Sequence, residues 1–147
     1  MVAFSCAIEN GDAHLKNFAV TYETPEREVR LAPAYDIVST TPYVPRDILA
    51  LTLNGAKSFP GRDQLMKFIR FATSKSERTA VELLDRVAYG VSVAIARAVD
   101  YGRRHHDARV FADRLIEVMT RGLGRLELKP IAVTPVDVAH GARDIGG

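Results

Sequence analysis

An α+β fold is predicted, with a small antiparallel β region at the front packed on a mainly helical remainder. Two observations carry this. The first sixty residues are rich in β-branched residues, prolines and turn formers, whereas from Gly61 onward apolar residues recur at helical spacing. The change of period falls within a chain of 147 residues, which suits one domain burying roughly two thirds of its unfolded surface.

The opening "MVAFSCAI" is apolar but has no basic leader and runs directly into Glu9 and Asp12. It lacks the layout of a signal peptide and is too short to span a bilayer. "FAVTY" (18–22) reads as a first strand, and "TPERE" with Pro25 as a turn. "VRLAPAYDIVST" reads as a second strand, with Asp36 near its end. "ILALTLNG" (48–55) reads as a third, closing on the turn pair Asn54-Gly55.

A first helix from Gly61 presents Leu65, Phe68, Ile69 and Ala72 on one face. Ser74 and Glu77 have capping-box spacing, which places the start of a second helix there. Its apolar face runs from Val81 through Leu84, Val87, Ala88, Val91 and Ile95 to Ala98, with a stop near Gly102. A third helix from about Asp107 carries Val110, Phe111, Leu115, Val118 and Met119, and Gly122 and Gly124 end it. The expected boundaries are a domain over 1–127 and an irregular or flexible tail over 128–147.

Apolar residues make up 47% of the chain and charged residues 26%, a globular composition. A net charge of +2 gives no broad field for nucleic acid, so no direct nucleic-acid partner is expected. Cys6 is the single cysteine, which excludes an internal disulfide and fits a reducing cytoplasm. It sits in an apolar run, as a small buried hydrophobe does. The basic cluster "YGRRHHDAR" (101–109) reads as cations at a helix C-terminus, since no aromatic stacking pattern accompanies it.

Chemistry concentrates in "ENGDAHLKNFAV". Asp12 and Asn17 have the D-x-x-x-x-N spacing of a phosphoryl-transfer catalytic loop. In such a loop an exposed aspartate accepts the proton of the attacking hydroxyl. The asparagine turns its amide oxygen to a magnesium ion, and a second carboxylate, here Asp36, reaches the same ion. Lys16 offsets charge on the transferring phosphoryl group. His14 has no second histidine at ligand spacing and is expected to fix the loop.

"NGDAHLKNFAV" followed by "LAPAYDIVST" and "LALTLNGAK" resembles the C-terminal lobe of the HipA family over roughly residues 1 to 125. These are bacterial serine/threonine kinases known as toxins of toxin–antitoxin pairs. The resemblance implies a kinase-like fold, with Asp12 matching the family's catalytic aspartate and Asn17 and Asp36 its magnesium ligands. It implies ATP as phosphoryl donor, Mg²⁺ as cofactor and a protein hydroxyl as acceptor, the best-known target being a glutamyl-tRNA synthetase. It also implies a helix-turn-helix antitoxin as partner. The family's phosphate-covering loop and ATP-binding lysine are not found in this sequence, and "GLGRLELK" follows a predicted helix rather than a strand. The expectation is therefore a separate N-terminal kinase lobe. The alternative is a truncated, inactive lobe acting as a binding or regulatory module.

Overall fold

A computed structural model describes residues 1–24 and 26–134. The order of elements is α1 (Val2–Ala7), a 3₁₀ turn (Leu15–Asn17), β1 (Val20–Thr21), β2 (Arg30–Leu31), α2 (Arg62–Thr73), α3 (Glu77–Arg104), a 3₁₀ turn (His106–Ala108) and α4 (Arg109–Arg125). It is an α+β arrangement: helices predominate, and β1 and β2 form the two-stranded antiparallel sheet found among the described residues.

The helical part is built on α3, whose 28 residues extend about 42 Å. Its expected face is the core: Leu84, Val87, Ala88, Val91 and Ala98 are all buried. A short connector at His105–Ala108 turns the chain, and α4 packs along α3 with Ala112, Val118, Met119 and Leu123 inward. The apolar run at the front folds as α1, a short helix wedged between α3 and α4 with Ala3, Cys6 and Ala7 buried. Periodicity could not assign it, because six mostly apolar residues show no contrasting polar face.

Cys6 is 1% exposed, and burial pushes its thiol up to about 11. At pH 8 only about one thousandth of it would be thiolate, the reactive form. Iodoacetamide should therefore leave Cys6 unmodified in the native protein and label it fully in urea, as mass spectrometry would show.

Several expected boundaries move. The second helix starts at Glu77 with Ser76 as its cap, the Ser76 hydroxyl accepting from Thr79 N–H at 3.3 Å. Ser74 instead closes α2 in a left-handed conformation. On α2, Leu65 and Ile69 are buried, but Ala72 faces solvent. Helix α4 runs through Gly122 and Gly124 and ends at Arg125.

The sheet has two strands rather than three. Val20 pairs with Leu31 and Thr21 with Arg30, and Ala32 N–H adds one bond to Ala19 O before Pro33, which has no N–H to donate. The third expected run is a separate excursion. Leu49 N–H reaches Lys57 O at 2.7 Å, and Leu53 and Ala56 exchange bonds across the Asn54-Gly55 turn. Leu49 and Leu53 point into the core while Leu51 does not, so the alternation that a strand requires is broken.

Beyond α4, Leu128 is buried and Ile131 N–H donates to Ser92 Oγ at 2.9 Å. The rest of the expected tail, 135–147, lies outside the described residues.

Candidate functional site

The loop after α1 is fixed residue by residue. Asn10 is buried, and its side-chain oxygen accepts from Asp12 N–H at 3.0 Å, an Asx turn that sets the entry to the loop. Gly11 N–H donates to Thr40 Oγ1 at 2.8 Å. A Cβ at Gly11 would lie 2.1 Å from Asp47 Oδ2 and 2.7 Å from Ile48 O, so this position requires a residue without a side chain. Asp12 then projects outward, its side chain 60% exposed, as a group meeting an outside hydroxyl must.

The 3₁₀ turn at Leu15–Asn17 folds Asn17 back under the loop. Its side-chain oxygen accepts from His14 N–H at 2.9 Å, and its Nδ2 donates to Asp36 Oδ2 at 2.6 Å. Asn17 is buried and Asp36 exposed, so the amide sits at the base and the carboxylate at the rim. Asp36 occupies the left-handed region at φ 54°, a conformation uncommon outside glycine and most tolerated by Asn and Asp. Tyr35 adds a second tie by donating from its hydroxyl to the carbonyl of Lys16. Lys16 itself is exposed. His14 Nε2 lies 3.9 Å from Asp12 Oδ1, placing the ring beside the aspartate.

Thus Asn17 and Asp36, nineteen residues apart, are in direct contact, and Asp12 is held on the same loop by Asn10. Among the described residues, no group of three or more His, Cys, Asp and Glu is disposed to hold a metal ion. The Asn17–Asp36 pair is a different kind of set, one carboxylate and one amide. Both offer hard oxygens, and Asn17 Oδ1 keeps a second lone pair beside its bond from His14. Such a pair fits magnesium, which takes one or two carboxylates and retains water or phosphate oxygens elsewhere.

Sequence reasoning missed the anchor beneath the loop. Glu9, also at φ 54°, has a side chain only 4% exposed. Arg121 donates to it from Nε at 3.1 Å and from Nη2 at 2.6 Å, Arg125 from Nη1 at 2.5 Å, and Thr41 from Oγ1 at 2.9 Å. Burial opposes the charge on Glu9. The hydrogen bonds from Arg121, Arg125 and Thr41, with the charge of Arg125, outweigh it and hold the carboxyl below the usual range. The same contacts raise Arg121 above its ordinary value, chiefly through its hydrogen bond to Glu9.

The backbone on either side of Glu9 is bonded to the segment after Asp36. Ser39 Oγ donates to Ile8 O at 2.5 Å, while Thr40 N–H and Oγ1 both reach Glu9 O. "DIVSTT" therefore does two things: it presents Asp36 and it clamps the root of the Asp12 loop. The available signal was a lone carboxylate directly after an apolar run, with two arginines four apart on the last helix.

Residues 1–95 match the family of the HipA-like C-terminal domain, from α1 to about two thirds of the way along α3. This chain belongs to that family. The HipA-like domain is also 45% identical over 58 residues, 38% of the chain, to "Putative kinase Y4dM" of Sinorhizobium fredii (strain NBRC 101917 / NGR234). It covers 14% of that protein's length. No solved structure matches it. No helix among the described residues is long and apolar enough to cross a membrane.

Proposed function

We propose that this HipA-like domain is the C-terminal catalytic lobe of a cytoplasmic bacterial serine/threonine protein kinase. It would transfer the ATP γ-phosphoryl group to a protein hydroxyl. The single observation that supports the reading is the Asn17–Asp36 contact at 2.6 Å, which brings the two candidate magnesium ligands together on the loop bearing Asp12. Asp12, exposed and flanked by His14, is the general base that accepts the acceptor hydroxyl's proton. Asn17 and Asp36 are the magnesium ligands. Magnesium, when bound there, supplies the positive charge that balances the triphosphate. Lys16, on the same exposed turn, adds charge toward the phosphoryl group. The family precedent names a glutamyl-tRNA synthetase as the kind of substrate and a helix-turn-helix antitoxin as the kind of regulator, with an N-terminal lobe to clamp the nucleotide.

The hairpin surface favours a second reading, a binding or regulatory module. Val20, Tyr22, Val29 and Leu31 are all exposed, Leu31 by 81%, an apolar face that suits a partner.

One experiment separates the two. Mixing the chain with the N-terminal lobe of a HipA-type kinase, labelled ATP and an acceptor protein should produce transfer, and Asp12→Asn should reduce it at least about a hundredfold. Transfer unaffected by Asp12→Asn would remove Asp12 as base. A mixture that binds without any transfer would establish the module reading instead.

A further inference from the structure

The corner where α3 gives way to α4 gathers the basic cluster of residues 101–109. Within it Arg104 is satisfied along its own helix, its Nη2 lying 2.6 Å from Asp100 Oδ2. Arg103 and Arg109 are placed differently. Together with His106 of the connector they line a cavity of about 300 Å³ between the two helices. Close helix approach produces this convergence, because a Cβ at Gly102 would stand only 3.0 Å from Ala112 Cβ. Val99 and Ile116 give the cavity an apolar wall, and Asp113 is the carboxylate on its lining. Asp113 Oδ2 lies 4.0 Å from Arg109 Nε, beyond hydrogen-bond reach. Among the described residues, Arg103 has no carboxylate within 4 Å. Two guanidinium groups and an imidazole therefore share one loosely held carboxylate.

We propose that this cavity binds a phosphate group, either inorganic phosphate or the monoester of a small molecule. Arg103, His106 and Arg109 come from three different elements, and the oxygens of a tetrahedral phosphate can accept from three directions. Guanidinium groups suit this ligand, since each can offer two parallel N–H donors to phosphate oxygens. A dianion also offsets the mutual repulsion of the two arginines, which a cation would increase and a neutral ligand would leave. A carboxylate brings one charge on two oxygens and matches the three donors less well. The organic part of an ester would lie against Val99 and Ile116. No residue of this cavity belongs to the candidate loop or to the Glu9 anchor, so the site stands or falls independently of the proposed reaction.

Amide NMR of the full chain, titrated at constant ionic strength with inorganic phosphate and separately with phenyl phosphate, tests the assignment. Saturable shifts are expected at Arg103, His106 and Arg109. Tighter binding of phenyl phosphate would identify a monoester as the occupant, and equal or weaker binding would identify inorganic phosphate. Arg103→Gln and Arg109→Gln should each weaken binding about tenfold, the loss of a charge-assisted hydrogen bond. Asp113→Asn should tighten it by removing the competing carboxylate, and Arg78→Gln, at the other end of α3, should change nothing. These four side chains are all exposed, so the substitutions leave the core intact. No saturable shift with either ligand, shifts confined to other residues, or unchanged affinity in both Arg103→Gln and Arg109→Gln would overturn the proposal.

Discussion

Glu9→Ala is expected to lower the unfolding free energy by about 3–5 kcal/mol, the effect of leaving buried charge without its partner. Most of that loss arises at Arg125, whose side chain is 23% exposed, rather than at Arg121, which is 51% exposed and can turn to water. Arg125 also donates to Cys6 O at 2.7 Å and Pro60 O at 3.3 Å, so its displacement disturbs α1 and the entry to α2 together.

The pH dependence has a fixed sign. The folded state holds Glu9 below its ordinary value of 4.5, so its contribution is complete above that pH and is lost as pH falls through the lower folded value. Urea melts of the native protein should therefore weaken below about pH 4.5, and Glu9→Gln should flatten that slope. Identical acid profiles for the two proteins would show that Glu9 is not the anchor described.

Gly122→Val should be comparably severe, at about 3 kcal/mol, the upper end of the usual overpacking penalty. Helix α4 approaches α1 so closely there that a Cβ at Gly122 would stand 1.7 Å from Ala7 O. That obstacle is backbone, two residues before Glu9, and cannot be relieved by a rotamer change. A Cβ at Gly124, two residues on, would meet nothing within 4 Å. Gly124→Ala should accordingly stabilise the protein by up to about 1 kcal/mol through helix propensity. Thermal denaturation of the pair distinguishes close approach from a general intolerance of α4.

The sequence pattern made some parts of this molecule legible and hid others. Asp12, Asn17 and Asp36 stood out because their residue types and order carry chemistry, and the contact between Asn17 and Asp36 brings two of them together. Helices α2, α3 and α4 were readable because each has a polar face against an apolar one. Helix α1 had no such contrast. The 48–55 run alternates on paper, but its Leu49 and Leu53 serve the core from a self-paired turn, a tertiary outcome that local pattern does not encode. The Glu9 anchor depends on contacts 112 and 116 residues away in sequence, and spacing arguments do not reach that far.

Everything proposed for the reaction depends on Asn17 and Asp36 forming a divalent-cation site beside Asp12. Titrating the intact chain with Mn²⁺, followed by electron paramagnetic resonance, tests it most directly. One saturable site that Mg²⁺ displaces is expected, weakened at least about tenfold by Asp36→Asn and by Asn17→Ala. Asp100→Asn, on the outer surface of α3, should leave it unchanged. Equal Mn²⁺ binding by the native protein, Asp36→Asn and Asn17→Ala would contradict the site.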